Sequence, residues 1–242
     1  MSFRPEPRLI ALTTVALVGV ALLSALGAWQ LERRVWKSQL IERVETRIHV
    51  EPAAPPSPAV WDRVTAARDE YRRVHVSGYF LNDSETLVRA STRLGSGFWV
   101  LTPLRTDLGF TVLVNRGFVP LELREPDKRG GQIGGKTSVT GLLRMTELKG
   151  GFLRPNDPAH DRWYVRDVSA IAAARGLTGV APYFIDADAS AAPDDWPRGG
   201  LTVLAFPNSH LVYAVTWFGL AFALSAAVVF VWREERHAWR SF

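Results

Sequence analysis

The sequence predicts a membrane protein in which two transmembrane helices flank a β-rich α+β domain. Residues 9–28 and 211–231 form uncharged apolar runs of twenty and twenty-one residues. About 20 residues rising ~1.5 Å each cross a hydrocarbon core of ~30 Å, so each run is long enough for one span. Roughly 180 residues lie between the two runs, which is enough for one domain of ordinary size.

Composition excludes several kinds of site. The chain has no cysteine, so it has no disulfide, no thiolate metal site, no cysteine nucleophile and no haem attached through Cys-x-x-Cys-His. The net charge of +5 comes from basic residues spread along the chain, many of them beside the apolar runs. Basic residues in that position are typical of contact with anionic lipid, and no motif of basic and aromatic residues for nucleic acid is present. Membrane lipid is therefore an expected partner, and nucleic acid is not.

The first apolar run has two interpretations, an uncleaved anchor or a secretory signal peptide. Arg4 and Arg8 precede it, and small residues such as Ala25 and Gly27 close it, as in a signal peptide. Its apolar length exceeds the ~7–15 residues of a signal core, which favours the anchor. No long segment rich in arginine and serine precedes Leu9, which favours a bacterial over a mitochondrial setting.

Charge leaves the orientation of the two spans open. Two basic residues precede the first run and five follow it closely, which would place the middle domain in the cytoplasm. The second run is followed by three arginines and preceded closely by Arg198, which indicates the reverse. Long domains are translocated largely regardless of charge, so these counts do not decide the orientation.

After the first run, the pattern predicts a helical stalk and then a linker. Apolar residues recur every three to five positions over residues 29–50, with charges between them. Residues 51–58 contain four prolines, which cannot continue a helix. A short helical piece at residues 59–67 follows this linker.

From residue 71 the pattern changes to short runs rich in β-branched and aromatic residues, which predict strands. Asp107-Leu108-Gly109 predicts a hairpin, and residues 125–135 predict an exposed loop without a phosphate-binding pattern. Residues 167–175 predict one helix with Asp167 as its N-cap. The predicted strands are 71–80, 85–91, 98–105, 111–119, 138–147, 183–186 and 201–206.

The sequence shows no constellation typical of a hydrolase, so we expect no enzyme. The acidic pairs Asp186 with Asp188 and Asp194 with Asp195 could in principle form a metal or catalytic site, but acidic residues in loops are usually solvated turn residues. Four histidines lack a second ligand at helical or strand spacing and are interpreted as ordinary surface or interface residues: His49, His75, His160 and His237.

His210 differs because it begins the second apolar run. Positions 210, 213 or 214, and 217 share one side of a helix, so His210, Tyr213 and Trp217 predict an aromatic stripe at one membrane surface. The first helix leaves the membrane at Trp29 and Gln30, at the same level. If the helices touch, these residues line one pocket below a cationic rim of Arg33, Arg34 and Lys37. Such a pocket suits haem, with His210 on the iron and the cations on the propionates, whereas the alternative is an ordinary interfacial belt.

Several short motifs follow one another along most of the chain. The N-terminal motif is Gly27-Ala28-Trp29-Gln30-Leu31-Glu32-Arg33, followed by Trp36-Lys37 and Leu40-Ile41. The strand motifs are Tyr71-Arg72-Arg73-Val74, Val76-Ser77-Gly78-Tyr79-Phe80, Leu101-Thr102-Pro103-Leu104 and Val112-Leu113-Val114-Asn115-Arg116-Gly117-Phe118-Val119-Pro120. The later motifs are Pro155-Asn156-Asp157-Pro158, Trp163-Tyr164, Tyr183-Phe184-Ile185-Asp186-Ala187 and Asn208-Ser209-His210-Leu211. Their order and extent resemble the Surfeit locus protein 1 family, membrane factors that assemble cytochrome c oxidase.

The resemblance implies a β-rich domain on the periplasmic side of a bacterial inner membrane. It divides the chain into a cytoplasmic N-terminus at 1–8, a transmembrane helix at 9–28, a stalk and extracytoplasmic domain at 29–206, a second transmembrane helix at 211–231 and a cytoplasmic tail at 232–242. It also assigns haem a to His210. Relatives often carry an acidic residue two positions before Leu211, where this chain has Ser209. A carboxylate that could orient the imidazole is therefore missing.

The function expected from this resemblance is that of a non-enzymatic assembly factor. It would bind haem a transiently and aid its delivery to, or insertion in, subunit I of cytochrome c oxidase, with haem a synthase as a further partner. The alternative is a cofactor-free membrane scaffold that stabilises an assembly intermediate of the oxidase.

Overall fold

The computed structural model describes residues 6–129, 133–147, 154–189, 195–203 and 208–240 of the chain. The chain divides into two compact units. The first combines Met1–Arg43 with Ala205–Phe242 and consists of long helices, and the second, Val44–Leu204, is β-rich.

Four α-helices and six strands make up the described fold. In chain order they are α1 (Pro7–Ile48), α2 (Ala66–Asp69), β1 (Arg73–Phe80), β2 (Thr86–Thr92), β3 (Gly95–Thr106), β4 (Thr111–Pro120), β5 (Lys136–Met145), α3 (Val168–Ala174), β6 (Val180–Ala187) and α4 (His210–Arg240). Short 3-10 helices, the first at Pro58–Arg63, lie between them.

Two long helices, α1 and α4, form the first unit. Both are long and apolar enough to cross a membrane. They pack through small residues, since Gly27 of α1 is buried and Ala214 of α4 is 1% exposed. A Cβ atom on Gly27 would lie 2.7 Å from Cζ of Phe218, so glycine is what lets that ring approach α1. Close packing of the two helices follows from these small side chains.

The β-rich unit contains a closed barrel. The sheet order is β1-β5-β6-β4-β3-β2, and β1 also pairs with the end of β3, from Gly78 opposite Thr106 to Phe80 opposite Leu104. This extra pairing closes β1, β5, β6, β4 and β3 into a ring, and β2 extends the sheet from β3. Adjacent strands are antiparallel except for β4 and β6, which are parallel.

β4 is buried on both faces, which accounts for its unbroken apolar sequence. Val112 and Val114 point into the barrel interior. Leu113, on the opposite face, packs with Val168 and Ile171 of α3. Helix α3 is capped by Asp167, whose side chain accepts a hydrogen bond from the backbone N–H of Ala170 at 3.0 Å, so the predicted N-cap is confirmed.

Most predicted elements of this unit are confirmed within a few residues. Six of the seven predicted strands correspond to β1 through β6, and the hairpin at Asp107-Leu108-Gly109 joins β3 to β4. The seventh prediction, a strand at 201–206, is wrong for residues 201–203, which lie outside any strand, and its other residues fall outside the described part of the chain. Residues 204–206 are therefore not compared.

The loop predicted at residues 125–135 is not exposed throughout its described part. Its Arg129 is 7% exposed, and the guanidinium pairs with the Glu85 carboxylate at 2.9 Å. A buried charge needs a partner, and Glu85 supplies one from forty-four positions away in the sequence. Local sequence could not indicate this pairing.

Candidate functional site

His210 is held by a residue of the other long helix. Its Nδ1 atom lies 2.7 Å from Oε1 of Gln30. Gln30 stands three positions after Gly27, so it continues the face of α1 that packs on α4. An amide oxygen only accepts hydrogen bonds, so Nδ1 carries the proton and donates, which leaves the lone pair of Nε2 available. The imidazole is thereby fixed in one tautomer and one direction.

A second hydrogen bond joins the helices at the same end. Asn208, just before α4, donates from Nδ2 to Oγ of Ser38 on α1 at 3.1 Å. The Gln30 and Asn208 contacts bracket the start of α4, so two polar links fix where His210 lies along α1.

The predicted aromatic residues take different positions around His210. Trp217 is half-buried and lies on the packed side of α4 with Ala214. Tyr213 is 54% exposed and Trp29 is 53% exposed, so neither lies within the helix contact. The sequence did not determine whether position 213 or position 214 shares the side of the helix with His210. In the structure, Ala214 faces α1. The structure thus brings His210 to Gln30, and it leaves Trp29 and Tyr213 on the outer surface of the helix pair.

The predicted cations lie on α1 within two turns after Gln30. The Arg33 guanidinium stacks on Trp36 of its own helix, 4.2 Å from the ring centroid. Arg34 is exposed and Lys37 is half-buried. Within the described residues, none of the three cations forms a hydrogen bond or an ion pair. All three are therefore available to an anionic group.

These residues fit the requirements of haem. An axial histidine needs an unprotonated nitrogen whose direction is set by a hydrogen bond at the other nitrogen, and Gln30 provides that bond. Gln30 thus takes the orienting role for which Ser209 has no carboxylate. The sequence predicted Gln30 as a lining residue of the pocket but not as the hydrogen-bond partner of His210. The sequence signal that could have indicated this contact is the spacing of three residues between Gly27 and Gln30, which puts both residues on one face of the helix.

The β-rich unit contains a separate buried cluster of charges around Asp186. This residue is 4% exposed, so the interpretation as a solvated turn residue is wrong. Oδ1 accepts from Nδ2 of Asn115 at 2.8 Å and from Nη1 of Arg166 at 3.1 Å. Oδ2 accepts from Oγ1 of Thr202 at 3.0 Å and from Nη1 of Arg144 at 3.3 Å. The carboxylate is saturated by donors from four segments of the chain.

Arg166 is shared between Asp186 and a second acid. Its Nε atom donates to Oε1 of Glu147 at 3.1 Å. Burial alone would raise the pKa of Glu147, but hydrogen bonds and charge from Arg166 outweigh burial and lower this pKa. Asp188, the expected neighbour of Asp186, instead pairs with Arg73 at 2.9 Å. Within the described residues, no three His, Asp or Glu side chains are grouped so as to hold a metal ion.

The fold and the helix contact define the class of protein. It is a small β-barrel domain joined to two apolar helices, with a histidine oriented by a glutamine between those helices. The model of the SURF1 family matches residues 17–222, which include Gln30, His210 and the whole barrel. The chain belongs to the SURF1 family.

Curated relatives agree with this assignment. Surfeit locus protein 1 of Homo sapiens is 39% identical over 230 residues, which cover 87% of this chain and 72% of the human protein. Surfeit locus protein 1 of Xenopus tropicalis is 37% identical over 237 residues, covering 90% and 73%. A SURF1-like protein of Drosophila melanogaster is 35% identical over 231 residues, covering 87% and 72%. The family predicted from the sequence motifs is confirmed.

Proposed function

We propose that this chain is a membrane-bound assembly factor for cytochrome c oxidase that binds haem a through His210. Family membership supports the role in oxidase assembly. The observation that carries the haem proposal is the hydrogen bond between His210 Nδ1 and Gln30 Oε1, because it orients the opposite nitrogen without occupying it. The protein acts by binding and handing over its cargo, and it is not an enzyme.

Each residue of the helix pair has a defined task in this proposal. When bound, haem a would supply an iron atom that accepts a nitrogen ligand. His210 offers Nε2 as that ligand, and Gln30 keeps the Nδ1 proton in place so that the ring does not rotate. Arg33, Arg34 and Lys37 have no anionic partner among the described residues and would bind propionates. Trp29, Tyr213 and Trp217 offer aromatic surface to the macrocycle.

Location and partners extend the same proposal. The helices α1 and α4 span the inner membrane, and the barrel lies on the periplasmic side. Haem a arrives from haem a synthase and leaves to oxidase subunit I. Binding is transient, and a ligand set with one oriented histidine suits release better than an enclosed pocket would.

The haem a content of purified variants tests the proposal. We expect His210→Ala, coproduced with haem a synthesis and purified in detergent, to lose most of its haem, since an axial ligand is removed. His49→Ala is the matched control, because His49 is an exposed histidine just after the C-terminal end of α1, far along the chain from Gln30. The measurement is haem a extracted per polypeptide, together with capture of oxidase subunit I.

Two outcomes would contradict the haem assignment. Equal haem a in His210→Ala and His49→Ala would exclude His210 as the ligand. Absence of haem from the unaltered chain, with subunit I still captured, would support the cofactor-free scaffold.

A further inference from the structure

Where β6 ends, the outer edge of β5 has no partner strand among the described residues. Residues 141–145 of β5 pair with β6, from Gly141 opposite Ala187 to Met145 opposite Tyr183. Residues 136–139 of β5 continue beyond this pairing and, within the described part of the chain, pair only with β1. After Ala187 the chain makes one more backbone hydrogen bond to β5, from the Asp188 N–H to the Thr140 carbonyl at 2.9 Å. Among the residues that the structure describes, positions 136–139 of β5 have a neighbouring strand on one side alone.

The direction of the peptide groups can be read from the register. His75 lies opposite Thr140, and Ser77 lies opposite Ser138. The His75 N–H donates to Ala53, and the Ser77 carbonyl accepts from Asp107, so both point away from β5. These are therefore non-hydrogen-bonded pairs, and the peptide groups of Ser138 point away from β1. No described residue bonds to the Ser138 N–H or carbonyl.

A cavity of about 350 Å³ lies against this edge. Its walls come from residues 137–140 of β5, from the ends of β1 and β6, from Val114 and Arg116 in the middle of β4, and from residues 195–197. Phe80, Trp196 and Pro197 give it apolar surface. Four residues of strand span ~13 Å at ~3.3 Å each, so the edge accommodates about four residues of an added strand.

A cation lining the same cavity has no carboxylate partner among the described residues. Arg116 of β4 packs on the Phe80 ring, with its guanidinium 5.2 Å from the centroid. Glu85 is its acidic neighbour, but that carboxylate is bound by Arg129 at 2.9 Å. Arg116 forms no hydrogen bond or ion pair within the described residues. Burial lowers the pKa of Arg116, Glu85 opposes this effect and Arg129 adds to it.

We propose that the barrel binds an extended peptide segment as an added strand on residues 136–140, with an aspartate or glutamate of that segment paired to Arg116. The Ser138 peptide groups supply a donor and an acceptor, as in other cases of strand addition. The guanidinium matches a carboxylate through two parallel hydrogen bonds. Of the two aspartates that also line the cavity, Asp188 is already paired with Arg73. This inference concerns the barrel alone and does not depend on haem binding by the helices.

Hydrogen exchange at the Ser138 amide tests the edge directly. The probe is a peptide selected from a random phage-displayed library on the full-length protein in detergent. We expect the Ser138 amide to exchange rapidly in the free protein and at least about tenfold more slowly with the selected peptide, because a new backbone hydrogen bond protects it. Rapid exchange also shows that the chain itself does not cover the edge.

Arg116→Gln tests the charge, with Arg105→Gln as the matched control. Arg105 is an exposed arginine of β3, outside the cavity. We expect Arg116→Gln to weaken the selected acidic peptide by about tenfold or more, because a charge-assisted hydrogen bond is lost, and Arg105→Gln to leave binding unchanged. An unchanged melting temperature shows that the variant is folded.

Three results would overturn the proposal. They are protection of the Ser138 amide before peptide is added, failure of the library to yield any binder, and selected peptides that bind without slowing exchange at Ser138. Selected peptides without an acidic residue would remove Arg116 from the site.

Discussion

Gln30→Leu is expected to weaken haem a binding by about 10- to 100-fold, the usual effect of losing the group that orients a metal-binding histidine. Leucine has a similar volume, so the helix contact near Gly27 and Ala214 is preserved. The imidazole of His210 loses its only acceptor among the described residues, and it can then rotate or exchange its tautomer. The loss therefore falls on ligand geometry and not on helix packing.

Titration of each purified variant with haem a, followed by absorption, measures this effect. Gln30→Glu keeps an acceptor oxygen and should restore binding, which a purely structural role for Gln30 would not predict. Gln39→Leu is the matched control, because Gln39 is an exposed glutamine on the same helix. Equal affinity of Gln30→Leu and the unaltered chain would refute the orienting role.

Asp186→Ala is expected to destabilise the β-rich unit by about 3–5 kcal/mol, because it leaves buried arginines without their counter-charge. Arg144 and Arg166 are 16% and 12% exposed and both donate to this carboxylate. Glu147, paired with Arg166, and Glu70, paired with Arg144 at 3.4 Å, compensate only part of this charge. A domain of ordinary stability has about 5–15 kcal/mol in total, so the loss would be a large fraction.

Urea unfolding in detergent, monitored by tryptophan fluorescence, measures the loss, since Trp163 lies in the core of this unit. Asp62→Asn is the control, because its carboxylate is 73% exposed and such surface changes stay within about 0.5 kcal/mol. A loss below about 1 kcal/mol for Asp186→Ala would mean that water replaces the carboxylate and that the cluster does not hold the barrel together.

Periodicity and composition were sufficient to predict most of the fold. The length of the uncharged runs predicted α1 and α4, and β-branched segments between turn residues predicted β1 through β6. The closure of the barrel through Gly78 and Thr106 could not be predicted, because pairing between distant strands leaves no local signal. The edge at Ser138, which no described residue covers, could not be predicted either, because it depends on where β6 ends relative to β5.

At the candidate site, the sequence predicted which residues lie at the same depth relative to the membrane surface, but not which of them are in contact. If both apolar helices span the membrane, His210 and the exit of α1 reach the same membrane surface. Contact between His210 and Gln30 also depends on the rotation of each helix about its axis. The sequence does not determine this rotation, because either Tyr213 or Ala214 could face α1. The sequence gives no signal that distinguishes Asp186 from Asp188. The tertiary structure buries Asp186 and leaves Asp188 partly exposed.

The haem a spectrum of His210→Gly, recorded with and without added imidazole, tests most directly whether His210 ligates the iron. The glycine variant retains Gln30 and the small-residue contact of the helices, and it leaves room for free imidazole beside them. We expect the variant to lose the haem a absorption band and to regain it when imidazole is added. A full band without imidazole would contradict ligation by His210.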